Sequence, residues 1–275
     1  MRFVSFTRDG AASWGRIGPD GAIIDLGAHE TDLKSAIAAG KLSADLDGPS
    51  LARGEVRLLP IVPNPAKFLC VGHNYESHRV ETGRDPTDHP SIFTRFADTL
   101  IGADDPIVRP TASTDLDYEA ELAVVIGRGG RNIPEAEAMD HIAGYTCFND
   151  ASVRDWQWHS RQFTPGKNFP GTGPLGPELV TPDEIDDLPS VRVESVLNGT
   201  VMQSATLDHM LFPVPVIIAY ISQFTPLAPG DVIATGTPGG VGAKRTPPVW
   251  MAPGDTIEVR ISGVGTLSST VVAEA

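Results

Sequence analysis

The chain has 275 residues, 41% of them hydrophobic, with 28 Gly, 24 Pro and a formal net charge of −14. That is enough apolar sequence for one large domain, or a small domain beside a large one. The charge opposes nucleic-acid phosphates and no Lys/Arg cluster reverses it locally, so a nucleic-acid partner is excluded. A small anionic substrate is not excluded, because a bound cation and a few basic groups invert the field inside one pocket. Cys70 and Cys147 make no disulfide framework and read as two buried thiols. The N-terminal residues lack a secretory pattern, and no apolar run approaches the roughly 20 residues of a membrane span. A cytoplasmic protein with no membrane partner is expected.

Taken in chain order, the first segment predicts β-hairpins. Phe3–Phe6 and Trp14–Ile17 flank Asp9-Gly10, and a second turn falls at Asp20-Gly21. Asp-Gly between apolar runs is a hairpin signal because Gly accepts the positive φ of the tight turn. A helix is predicted over Thr31–Ala39, with Thr31 as N-cap and Gly40 as stop. Pro60, Pro63 and Pro65 mark a boundary, giving a small N-terminal β-hairpin domain (1–62) and a main domain (63–275). The main domain opens with a strand at Lys67–Val71, followed by loops to about Arg109. A strand at Leu122–Ile126 and a short helix at Glu135–His141 come next. Strands at Val191–Leu197, Val232–Thr235, Thr256–Ile261 and Gly265–Val272 and a helix at Pro213–Gln223 complete a mixed, β-rich α+β fold.

The chemistry concentrates in a few places. Glu119 and Glu121 precede an apolar strand, and the period-two alternation of a strand puts both carboxylates on one face. Like charges so close repel unless a cation bridges them or solvent screens them. Asp150 ends another apolar stretch, Gly144–Asn149. Three carboxylates converging from two strand ends make an all-oxygen site suited to Mg²⁺ or Mn²⁺, with Ca²⁺ as an alternative occupant. His78 and Glu81 are three residues apart and share a face on a helical turn, where the carboxylate would orient the imidazole as a general base. Gly171-Thr-Gly-Pro-Leu-Gly176 satisfies G-x-G-x-x-G literally. No strand precedes it and Pro174 interrupts it, so it reads as a turn and not a dinucleotide site. The glycine-rich run Thr235–Gly242 is not a P-loop, because Ala243 separates it from Lys244.

Together these segments resemble the fumarylacetoacetate hydrolase family from about Lys67 to the C-terminus. The resemblance is carried, in order, by Val71-Gly-His-Asn-Tyr-Glu-Ser-His78, Asp117-Tyr-Glu-Ala-Glu121 and Phe148-Asn-Asp-Ala-Ser-Val-Arg-Asp155. Gly166-Lys-Asn-Phe169, with Gly173–Pro177, and Thr235–Gly242 follow. The resemblance implies a central β-roll and a homodimer. It implies metal ligation by Glu119, Glu121 and Asp150, water activation by His78 with Glu81, and an active-site lysine at Lys167. It further implies substrate contacts from Arg154, Gln157 and Thr237. The family often has Phe-Leu-Lys-Pro where this chain has Phe93-Thr-Arg-Phe96, so Arg95 takes the lysine's place and is expected to fork onto the substrate tail. The activity implied is metal-dependent hydrolysis of a carbon–carbon bond in a small 2,4-diketo acid, an acylpyruvate, to pyruvate and a carboxylic acid. Oxaloacetate decarboxylation or tautomerisation and hydration or isomerisation of 2-oxo-dienoates use the same toolkit. A non-catalytic cation-binding β protein would account for the carboxylates but would leave Lys167 and His78 without a role.

Overall fold

The computed structural model describes residues 1–43 and 45–275. A twelve-stranded mixed sheet dominates. Its main path runs Ser50–Leu51, Ile23–Asp25, Ala11–Ile17, Arg2–Arg8, Gly173–Val180, Ile142–Asn149, Ala120–Ile126, Val232–Ala234, Phe68–Gly72 and Ser91–Thr94. A five-stranded sheet, ordered Thr200–Thr206, Arg192–Leu197, Thr256–Ile261, Gly265–Ala273 and Ile107–Arg109, packs against it. The longest helix, Val214–Phe224, has only 11 residues. This is the β-rich α+β fold expected from the frequent turns. Among the described residues no helix is long and apolar enough to cross a membrane.

Both predicted Asp-Gly turns form. Arg2–Arg8 pairs antiparallel with Ala11–Ile17, and that strand pairs with Ile23–Asp25. The predicted first helix is shorter, Leu33–Ala38, and its N-cap is Asp32, not Thr31. The Asp32 carboxylate accepts the Ser35 amide at 2.7 Å, which satisfies one of the helix's free donors.

The segment 1–62 is continuous with the rest of the molecule. Arg2 and Phe3 pair with Val180 and Leu179, and Phe3, Trp14 and Leu33 share one core with Phe68, Phe148 and Leu175. The stretch expected as loops up to Arg109 holds a helix, Glu76–Glu81, and a strand, Ser91–Thr94. The helix has no apolar stripe to announce it, and tertiary contacts fix it in place. Asn74, just before it, donates to the carbonyls of Phe212 and Thr235 and accepts the Phe212 amide. The Gly171–Gly176 motif is not a closed turn, because it runs into the strand Gly173–Val180.

The central strand Ala120–Ile126 is buried along its whole length. Ala120, Leu122, Val124 and Ile126 enter the core beneath the five-stranded sheet and the long helix. Ala123 and Val125 enter the other core, with Phe68, Cys70 and Phe148. By the same alternation Glu119 and Glu121 continue that second face, where the apolar layer ends.

Candidate active site

Strand pairing assembles the acidic cluster. In the antiparallel register Ala120 faces Asn149 and Glu121 faces Phe148. Asp150 therefore falls beside Glu119, and its amide donates to the Glu119 carbonyl at 2.9 Å. Glu119, Glu121 and Asp150 are all buried, and one carboxylate oxygen from each lies within 4.8 Å of the others. On the other side, Val232–Ala234 pairs with the same central strand and carries Gly236 and Thr237 to the cluster. The Gly236 amide donates to Glu121 Oε2 at 2.8 Å. Gly236 has a φ of 100°, and a Cβ there would sit 2.7 Å from that of Asn74, so both conformation and space require glycine.

Three cations answer four carboxylates. Lys167, at the end of the single helical turn Thr164–Lys167, donates to Glu119 Oε2 at 2.7 Å and Asp150 Oδ2 at 2.6 Å. Its loop can lie this close because Gly166 has no Cβ; one would stand 2.5 Å from the Gln157 backbone. Arg154 spans Asp117 at 2.8 Å and Glu119 at 2.7 Å. Arg95 holds Asp150 Oδ1 at 2.5 Å. Glu121 is left over and, among the described residues, has no ion-pair partner.

The electrostatics follow this pairing. Burial alone would raise the Glu119 carboxyl, but the Lys167 ammonium and Arg154 guanidinium outweigh it and hold the group ionised, below the ordinary range. Burial would lower Lys167, yet Asp150 and Glu119 hold it above its ordinary value, as an ammonium. Glu121 is pushed well above the usual carboxylate range by burial and then by Asp150 and Glu119. An all-oxygen set with one carboxylate left uncompensated is what a hard divalent cation relieves, so the residues fit Mg²⁺ or Mn²⁺. Pairing with Lys167 does not exhaust Glu119 or Asp150, because each carboxylate oxygen has a second lone pair.

The cluster opens into a cavity of about 250 Å³ whose wall includes His73, His78, Glu119, Glu121, Arg154 and Lys167. His78 stands on the helix Glu76–Glu81 with Nδ1 2.7 Å from Glu81 Oε1. Glu81 is fixed in turn by the Gly240 amide at 2.8 Å. With the Glu81 carboxylate as acceptor, Nδ1 carries the proton and Nε2 is free to take one. Gln157 and Thr237 also line the cavity. Gln157 Oε1 accepts from Arg154 at 2.9 Å. The Thr237 hydroxyl accepts from Gln203 at 2.8 Å and donates to the Ala120 carbonyl at 2.9 Å.

Arg95 departs from expectation. It does not line the cavity; it is 3% exposed and lies beneath Asp150, also donating to the Ala151 carbonyl and the Thr172 hydroxyl. The carboxylate it grips belongs to the protein, not to a substrate tail.

Several residues of the site were not anticipated. Asp117 accepts the Gly242 and Ala243 amides as well as Arg154, which ties the glycine-rich loop to the acidic cluster. Its two-residue offset from Glu119 was the available signal. His73 stacks on His78 with centroids 5.3 Å apart. Burial and then the neighbouring His78 lower its pKa to about 4, keeping it neutral. Nothing local in the sequence announces that stack.

The family profile described as fumarylacetoacetate (FAA) hydrolase C-terminal matches residues 67–272. The mitochondrial oxaloacetate tautomerase fahd2 of Xenopus laevis is 40% identical over 289 residues, covering 99% of this chain and 90% of its own. A fumarylacetoacetate hydrolase from Exiguobacterium antarcticum superposes with a TM-score of 0.89 at 37% identity, covering 100% of both chains. A maleylpyruvate hydrolase from Sphingobium sp. SYK-6, solved with manganese(II) and pyruvate, superposes with a TM-score of 0.83 at 28% identity, again over 100% of both chains. With its acidic cluster, its lysine and its histidine–glutamate pair in this arrangement, the chain belongs to the fumarylacetoacetate hydrolase family.

Proposed function

We propose that the protein is a divalent-metal-dependent enzyme that moves a proton at C3 of a small 2-oxo acid, with keto–enol tautomerisation of oxaloacetate as its reaction. One observation carries this reading. A permanently charged donor, Lys167, and an imidazole with a free nitrogen, His78, face the same small cavity beside three buried carboxylates. The near full-length likeness to an oxaloacetate tautomerase supports the choice of substrate.

Glu119, Glu121 and Asp150 would hold the metal, which supplies Lewis-acid stabilisation of negative charge on the 2-oxo oxygen. The protein's own groups do the rest. Arg154 has a buried nitrogen, Nη2, with no partner, and it offers this donor to the substrate carboxylate next to the oxo group. His78 takes the C3 proton on Nε2 and delivers it to the enolate oxygen, or in the reverse direction carries it from the enol hydroxyl to C3, while Glu81 stabilises the imidazolium between the two steps. Lys167 stays an ammonium, because two carboxylates hold it so, and places positive charge where the enolate oxygen develops.

The hydrolytic cleavage expected from the sequence is the second reading. The His78–Glu81 pair favours it, since the same Nε2 can take a proton from water, and the maleylpyruvate hydrolase likeness is in line with it. Product analysis separates the two. Purified protein with Mg²⁺ or Mn²⁺ is given enol-oxaloacetate and, separately, an acylpyruvate. Tautomerisation consumes the enol without releasing pyruvate; hydrolysis releases pyruvate from the acylpyruvate in step with its loss. Rapid, stoichiometric pyruvate from the acylpyruvate, with enol-oxaloacetate untouched, would overturn the first reading in favour of the second.

A further inference from the structure

The cavity wall carries three basic side chains, Arg154, Lys167 and Lys244. The first two are already compensated, Arg154 by Asp117 and Glu119 and Lys167 by Glu119 and Asp150. Lys244 differs. Among the described residues its ammonium makes no ion pair and no hydrogen bond, and the residue is exposed at the rim. Its backbone is nonetheless fixed. Lys244 ends the 3₁₀ turn Gly242–Lys244, whose Gly242 and Ala243 amides donate to Asp117 at 2.8 and 3.0 Å. Asp117 also holds Arg154 at 2.8 Å. One buried carboxylate thus anchors both the guanidinium inside the cavity and the backbone turn that carries the lysine at its mouth.

The rim also carries Asp115 and Asp155, which line the same cavity. They put negative charge on the path of an anionic substrate. A monoanion anchored at Arg154 need not place charge near them, whereas a dianion must bring its second carboxylate outward towards this rim. A cation is then needed there to offset the repulsion. Lys244 is the one uncompensated cation of the cavity wall among the described residues.

We propose that Lys244 is a specificity-determining residue that receives the distal carboxylate of a dicarboxylic 2-oxo acid. The inference rests on the functional reading above for which end of the substrate lies inside. It selects dicarboxylates over 2-oxo acids of equal length that end in a methyl group.

The test compares oxaloacetate with 2-oxobutanoate, which has the same number of carbons and a methyl group in place of the distal carboxylate. Dissociation constants for both are measured by calorimetry on the Mn²⁺-loaded full-length protein and its Lys244→Met, Lys244→Arg and Lys244→Glu variants. Deuterium exchange at C3 is followed in parallel. Lys244→Met is expected to weaken oxaloacetate relative to 2-oxobutanoate by roughly five- to tenfold, a charge-assisted contact discounted for its exposure. Lys244→Glu should widen that change, and Lys244→Arg should restore most of the preference. Added salt should shrink the preference in the wild type but not in Lys244→Met. An affinity ratio that Lys244→Met and Lys244→Glu leave unmoved overturns the role of Lys244, whatever the turnover. Absence of C3 exchange in the wild type, with the ratio still dependent on Lys244, overturns the tautomerase reading and leaves the dicarboxylate subsite standing.

Discussion

Glu121 is the residue on which the metal assignment turns. Its neighbours Glu119 and Asp150 are neutralised by Arg154, Lys167 and Arg95, while Glu121 has only the Gly236 amide. Glu121→Gln removes the unpaired charge and keeps the shape. It should raise the melting temperature of the metal-free protein and abolish the rise that saturating Mn²⁺ gives the wild type. A thermal scan of both proteins with and without Mn²⁺ checks this, and an undiminished Mn²⁺-induced rise in the variant would contradict it. Arg95 makes a complementary case. Arg95→Ala leaves the buried Asp150 without one of its two cations, which should cost about 3–5 kcal/mol of stability. Chemical unfolding measures the cost, and the preference among substrates should move little because Arg95 does not reach the cavity. The carboxylates were legible in the sequence because strand alternation is local. Arg95 was not, because its partner Asp150 is 55 residues away and a two-pronged donor looks the same whether it serves a substrate or the protein.

At the scale of elements, the hairpins and the central strands could be read from turn residues and apolar runs. The helix Glu76–Glu81 could not, since its position depends on contacts made by Asn74 with residues more than 130 positions on. That helix presents His78, and the residue that prepares it is His73, which is packed against it with a φ of 56°. Burial, then His78, depresses the His73 pKa from 6.5 to about 4. Between those values the unfolded chain binds a proton that the folded protein refuses, so the folded state loses stability as pH falls from about 6.5 to about 4. The contribution between pH 7 and pH 5 is about 1–2 kcal/mol. His73→Asn, a residue that tolerates positive φ, should remove that part of the acid sensitivity. Urea unfolding at pH 7 and pH 5 tests it; an equal loss in wild type and variant would show that other groups govern the acid limb.

For the whole molecule, the prolines near residue 62 predict a boundary, but they do not say how the two segments relate in space. Sequence punctuation marks where a chain turns, not which strands later become neighbours. Arg2–Arg8 is hydrogen-bonded to Gly173–Val180, and one apolar core runs from Trp14 to Phe148. Calorimetry should therefore record a single unfolding transition, with residues 1–62 melting together with the acidic cluster; two resolved transitions would contradict a shared core. The same sheet brings Glu119, Glu121 and Asp150 together from strand ends beside the cavity, so the chemistry depends on the fold being intact. The central claim is that this cavity, once it holds a divalent cation, enolises a small 2-oxo acid. The most direct measurement is the rate of enol–keto conversion of oxaloacetate, followed by ultraviolet absorbance while Mn²⁺ is titrated into metal-free protein. The acceleration should saturate with Mn²⁺, disappear with a chelator and fall roughly 10²–10⁴-fold in His78→Ala. A rate that stays at the protein-free value at every Mn²⁺ concentration would contradict it.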